Sequence, residues 1–529
     1  MDKANIRRMG MGFLVAAAAL ACVMTAMAVA DRPAEPAQPR ADLIVIDGLK
    51  AFGPLERPAV PFYHDKHTQA LAKQQKDCQA CHPSEDDRLS LKFMRTKDQG
   101  KTAVMEIYHA ECITCHKQMR EPGKKAAGPV TCGECHVEKG AAPSNWQAIG
   151  LDKSLHYRHV KTLDKKCEQC HHDYNPQTKK LFYAKGQEGA CLYCHKEQTE
   201  ENRISNRLAS HQSCIACHRA RAAQNKSAGP QECAGCHDPR QQVLIEKLAE
   251  VPRMERNQPD AVLVRAVSPE QAANPDLADK TIAGVPFDHK AHEAYNDSCR
   301  VCHHESLQSC SSCHTIQGHQ DGKMVKLAQA MHQKGAEMSC VGCHDRQKKE
   351  AQCAGCHHSI PPARTLTSAA SCQTCHTAEV ENPSTLTEDQ RRALAAELLA
   401  GRRPVRETVP ADQIPETVVI KKLADEYQPV TLPHRKIVLK LAEANQKSHL
   451  AAYYHKDPLT LCQGCHHNSP ASLKPPQCGS CHGRSSEPLN LSRPGLLAAY
   501  HQQCIECHTE MGIEKPASRD CTACHAKRN

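Results

Sequence analysis

Of the 33 cysteines in this 529-residue chain, 32 fall in one five-residue pattern, Cys-x-x-Cys-His, which occurs sixteen times. The spacing dictates the chemistry. Two thiols one helical turn apart can each add to a vinyl group of one porphyrin, and the histidine that follows then falls beneath the iron as its proximal ligand. A disulfide framework or a zinc half-site has no use for a histidine after every second cysteine. The pattern therefore reads as sixteen covalently held c-type haems.

The motifs form five groups. The first holds Cys78, Cys81 and His82, then Cys112, Cys115 and His116, then Cys132, Cys135 and His136. The second holds Cys167, Cys170 and His171; Cys191, Cys194 and His195; Cys214, Cys217 and His218; and Cys233, Cys236 and His237. In the third are Cys299, Cys302 and His303; Cys310, Cys313 and His314; Cys340, Cys343 and His344; and Cys353, Cys356 and His357. Cys372, Cys375 and His376 stand alone. The last group holds Cys462, Cys465 and His466; Cys478, Cys481 and His482; Cys504, Cys507 and His508; and Cys521, Cys524 and His525.

Sixteen of the 34 histidines belong to motifs, which leaves eighteen for sixteen irons. Their placement repeats. A pair such as His64 and His67, His156 and His159, or His289 and His292 precedes a group. A doublet such as His171-His172, His303-His304 or His466-His467 closes a motif, and a single His109, His211, His332 or His501 precedes a later one. Adjacent histidines cannot both face one iron, so the second of each doublet must serve a neighbouring haem. A second imidazole closes the iron to substrate and lowers its potential relative to a Met/His set, which is the electronics of a low-potential electron carrier.

This arrangement resembles the tetrahaem cytochrome c3 family, and the resemblance implies the distal ligands. His156, His172, His159 and His211 would serve the haems on Cys167, Cys191, Cys214 and Cys233. His289, His304, His292 and His332 would serve those on Cys299, Cys310, Cys340 and Cys353. The first group, with Pro83 in place of a doublet, looks like the trihaem c7 variant, with His64, His67 and His109 on Cys78, Cys112 and Cys132. His358 is expected on the isolated haem of Cys372. In the last group His467 and His501 would serve Cys478 and Cys521. Its upstream pair is broken, with His434 followed by Ile437 instead of a second histidine. After an insertion come His449 and His455; His434 is assigned to Cys462 and His455 to Cys504, and if any iron is left open the broken pair makes it that of the Cys504 haem.

The grouping of three, four, four, one and four is similar to the sixteen-haem, high-molecular-weight cytochromes c of sulfate-reducing bacteria. The implied fold is a multihaem cytochrome c of c3-like modules, with short α-helices and loops wrapped around haems and little β. The implied divisions are a signal peptide at 1–30, a trihaem module at 31–145 and tetrahaem modules at 146–240, 285–358 and 429–529. Linkers at 241–284 and 381–428 and an isolated haem segment at 359–380 complete the chain.

The elements that must hold these residues are sparse. Only 3% of the chain is aromatic, so side chains alone would make a poor core and the porphyrins must supply it. Thr387 to Leu399 reads as an amphipathic helix with Thr385 or Thr387 as cap and Gly401 as stop. Residues 1–30 carry Lys3, Arg7 and Arg8 ahead of an apolar run that ends Ala28-Val29-Ala30, the pattern of an export signal, with Cys22 inside it. Beyond it no apolar stretch approaches the ~18 residues of a membrane span. The formal charge of +9 omits two propionates per haem, so the loaded, exported protein is acidic and gives no reason to invoke nucleic acid. The resemblance implies a periplasmic carrier that takes electrons from hydrogenase or a tetrahaem cytochrome c3 and passes them to an integral-membrane redox complex in sulfate respiration. The competing class is a multihaem nitrite or hydroxylamine reductase with one open haem, weakened by the lack of any Cys-x-x-Cys-Lys motif.

Overall fold

The computed structural model describes residues 38–528 apart from 86–87, 120–122, 124–125, 139–141, 201–202, 266–281, 361–368, 380–385, 403–406, 425, 487–492 and 518–519. The expected signal peptide with Cys22, and Thr385, lie outside the described residues. The chain divides into two compact units, 1–171 with 194–251 and 172–193 with 252–529.

In the first unit β1 (Leu43–Ile46) pairs antiparallel with β2 (Val60–Tyr63), Leu43 opposite Tyr63. The hairpin delivers the chain directly into α1 (His64–Ala72), where a three-residue spacing sends His64 and His67 from one flank of the helix toward different neighbours. Buried Asp42 accepts the Asp65 backbone N–H at 3.0 Å and is itself held by Arg40 at 2.7 Å. The next helix, α2 (Lys101–Gln118), carries His109, Cys112, Cys115 and His116 on one continuous element. Asp152 caps α3 (Lys153–Thr162) by accepting from the Leu155 N–H at 2.7 Å, which fixes where His156 and His159 begin their turn.

The second unit repeats the entry device. Antiparallel β3 (Ala261–Val264) and β4 (Val285–Asp288) lead into α4 (His289–Tyr295), capped by Asp288. Across β3 and β4 packs α5 (Glu388–Ala400), with Thr387 as N-cap in a capping box with Gln390 and Gly401 at its end. Ala261, Leu263, Ala378 and the fully buried Ala395 form a small hydrophobic cluster there, edged by Leu394, Leu398 and Leu399. A hairpin of β5 (Val418–Ile420) and β6 (Val430–Leu432) precedes α6 (His434–Lys447) and α7 (His449–Tyr454). The largest side chains among the described residues that are wholly enclosed are only Val104, Pro286 and Ser339, the sparse interior of a chain that folds around large prosthetic groups. No helix among the described residues is long and apolar enough to cross a membrane.

Candidate haem-binding sites

Many of the motifs are single tight turns, and others, such as that at Cys112, lie within a longer helix. The histidine N–H donates to the first cysteine's carbonyl, at 2.9 Å for His82 to Cys78, His136 to Cys132 and His376 to Cys372, and at 2.8 Å for His482 to Cys478. This one-turn closure puts the two thiols on one side and the imidazole just past them. Asp77, Ser298 and Asp520 fix the start of their turns by accepting from the N–H two residues on. None of the 32 motif cysteines is joined in a disulfide.

Two imidazoles on one iron need about 2.0–2.1 Å from metal to nitrogen plus about 1.1 Å to each ring centre, ~6.3 Å between rings. At least thirteen motif histidines face a second histidine at close to this spacing. In the first unit His64 faces His82, His67 faces His116, His109 faces His136, His156 faces His171, His159 faces His218 and His211 faces His237, at 6.0–6.3 Å. In the second, His289 faces His303, His292 faces His344, His304 faces His314, His467 faces His482 and His501 faces His525, at 5.9–6.4 Å. His434 stands close enough to His466 to add to the burial that lowers the His466 pKa. His172 and His195 fall in different units.

Three placements differ from the expected ones. His332 faces His376 at 6.0 Å, so it belongs to the Cys372 site and not to Cys353. His455 faces His357 at 6.0 Å, at the Cys353 site and not at Cys504. His358 meets neither; its Nε2 lies 2.7 Å from a carboxylate oxygen of Glu506. The reason is the inserted α7, whose end carries His455 to His357. His357 and His358 are adjacent, so once His357 is met, His358 points away toward the Cys504 motif. Among the described residues no histidine ring faces His508. His449 lies against Tyr295 at 6.2 Å, and His319 sits beside Asp321 at the surface.

In many of these histidines the remaining ring nitrogen explains the orientation. Nδ1–H donates to a main-chain carbonyl in His116 (Pro129, 2.6 Å), His136 (Pro58, 2.7 Å), His218 (Pro230, 2.8 Å), His482 (Pro494, 2.8 Å) and His376 (Ala283, 2.6 Å). The upstream His67, His159, His292 and His332 donate one turn back along their own helices. Such bonds fix the tautomer and leave Nε2 for the iron. Burial pushes His82, His344 and His455 below the ordinary histidine range and His357 down to about 4, so these rings are in the neutral, ligating form. The donor set, its spacing and its protonation fit haem.

Sequence reasoning missed the supporting residues. A proline 10 to 13 residues beyond the motif histidine supplies the acceptor at His116, His218, His466 and His482. In two of these the preceding residue must be glycine, because a Cβ on Gly128 or Gly229 would lie 2.9 or 2.3 Å from the imidazole. Phe62 and Phe287, each five residues before the second histidine of its pair, pack on His67 and His292 at 4.2 and 4.1 Å. Gly355, inside the Cys353 motif, permits another close approach: its Cβ would lie 2.8 Å from Cys507 Sγ. Burial, then the surrounding Cys356, Cys507, Cys504 and Cys478 thiols, push Cys465 up to about 12, so the attachment points of four haems converge there.

Fold and sites together define a multihaem cytochrome c built from c3-like repeats. The profile of the class III cytochrome C family matches residues 43–136, 138–237, 265–352 and 428–527, and the chain belongs to that family. It is 45% identical over 515 residues to the high-molecular-weight cytochrome c of Nitratidesulfovibrio vulgaris Hildenborough, covering 94% of this chain and 93% of that one. The solved high-molecular-weight cytochrome c of Desulfovibrio vulgaris (Miyazaki F) superposes with a TM-score of 0.79 at 42% identity, over 94% of this chain and all of the other. The sixteen-haem cytochrome of Desulfovibrio gigas gives 0.78 at 41%, over 93% and all. The chain is thus a c-type electron-transfer cytochrome. Bound haem supplies an iron that gains and loses one electron, and the protein supplies ligands, orientation and an apolar enclosure.

Proposed function

We propose that this protein is a periplasmic conduit that accepts low-potential electrons from hydrogenase, directly or through a small tetrahaem cytochrome c3, and hands them to an integral-membrane redox complex in sulfate respiration. The observation that carries it is the facing of histidine pairs across the motif sites. We take these pairs, together with His434 with His466, as the axial ligands of fourteen haems, and for the Cys191 haem we keep the second histidine that the c3 resemblance implies. Irons closed on both faces exchange electrons without binding substrate, and paired imidazoles hold their potentials low. The names of the sulfate-reducer relatives and the export signal expected at 1–30 support the compartment and pathway. Stopped-flow reduction of the haem-loaded protein by hydrogenase under hydrogen tests the entry step. Rapid reduction that accelerates when tetrahaem cytochrome is added is expected, and failure to reduce under both conditions would contradict it.

A second reading rests on His508. With His455 turned to the Cys353 site, the Cys504 haem keeps one open face, which suits binding or reduction of a small molecule such as nitrite or hydroxylamine. Turnover of either at rates well above those of small tetrahaem cytochromes would make this a reductase; background rates would leave it a carrier.

A further inference from the structure

Tyr454, the last residue of α7, touches two haem sites and precedes the ligand of a third. Its phenol oxygen lies 2.9 Å from Nδ1 of His344, the motif histidine at Cys340. The same oxygen lies 3.9 Å from Sγ of Cys375, an attachment point of the Cys372 haem. The next residue, His455, faces His357 at the Cys353 site. The preceding one, Tyr453, donates its hydroxyl to the Thr374 carbonyl inside the Cys372 motif at 2.8 Å. Tyr454 is held in place by edge-on packing against both the His344 ring at 5.6 Å and Tyr453 at 5.1 Å. Three consecutive side chains at the end of one short inserted helix thus enter three haem sites.

The bond at His344 departs from the pattern elsewhere. At His116, His136, His218, His376 and His482 the Nδ1–H is received by a main-chain carbonyl, which no substitution removes. At His344 it is received by a side-chain hydroxyl. An acceptor at Nδ1 raises the basicity of the ligating nitrogen and so favours the ferric state. We infer that Tyr454 is a positioning residue for electron transfer, setting the donor strength of His344 and linking the Cys340 site to the Cys372 site through its hydroxyl. When an electron crosses, one iron is oxidised and the other reduced; the phenol keeps its proton and its electrons. The link does not depend on which partner feeds the chain.

The test is potentiometric titration of the full-length, haem-loaded protein, with haem content checked for each variant. Y454F keeps the ring and removes the acceptor. Its reduction equilibrium should shift toward the ferrous state by about tenfold for one haem in sixteen, about 59 mV for a one-electron couple, with the ferric low-spin EPR signal of that haem displaced. Y454Q returns an acceptor oxygen and should move the titration back toward that of the unmodified protein. Y453F, which removes the bond to the Thr374 carbonyl but leaves the His344 bond intact, should shift the titration less than Y454F does. A Y454F titration that superimposes on the unmodified one would overturn the inference, as would equal shifts in Y454F and Y454Q or a Y453F shift as large as that of Y454F.

Discussion

The two units solve the ligand problem differently. In the first, each facing pair joins histidines in the order their own group supplies: the upstream pair meets the first and a later motif, and the single histidine meets the last. In the second, two rings cross group boundaries. His332 leaves the third group for the isolated motif, and His455 comes from beyond both to complete the third group. Crossing ligands tie the Cys353 site to His455 and the Cys372 site to His332, so each of these irons depends on a segment outside its own group. The first unit is joined otherwise. Buried Asp65, next to His64, accepts the Cys233 and Ala234 N–H groups at 2.7 Å each, so one carboxylate caps the last motif of one group from the first helix of another.

Three substitutions probe this contrast, in descending order of effect. H455A should open the Cys353 haem and turn it high-spin, and because His455 anchors α7 it should also lower the thermal midpoint; absorbance near the high-spin charge-transfer band and calorimetry check both. A Cys353 haem that stays low-spin in H455A would return His332 to that site. D65A removes two charge-assisted hydrogen bonds and should destabilise the first unit by about 2–3 kcal/mol, read from guanidinium unfolding, with no haem changing spin state. H358Q, the smallest, should leave every spin state unchanged, because His358 faces Glu506 and not a ring. A new high-spin haem in that variant would restore it as a ligand.

Much of this was legible in the sequence because covalent haem attachment is local. The Cys-x-x-Cys-His turn is fixed by five residues, and a His-x-x-His pair on one helical turn is fixed by four, so the pairs at His64, His67, His156, His159, His289 and His292 could be placed. The helix at Glu388–Ala400 was equally readable from Thr387, Gln390 and Gly401. What could not be read was long-range choice. His332 is followed by the Cys340 and Cys353 motifs before it reaches Cys372, and spacing alone cannot say which it skips. His455 copies the seven-residue offset of His292 from its motif, yet α7 turns it to a haem attached a hundred residues earlier. Supporting acceptors such as Pro129 and Pro230 carry no signal until the fold brings them to the rings.

The account turns on one count, the number of irons with a single histidine. Quantitative EPR of the fully oxidised, haem-loaded protein gives it directly. Fifteen low-spin ferric haems and one high-spin haem per chain are expected, the high-spin signal surviving H358Q. Sixteen low-spin haems would contradict the lone His508 and with it the reassignment of His455.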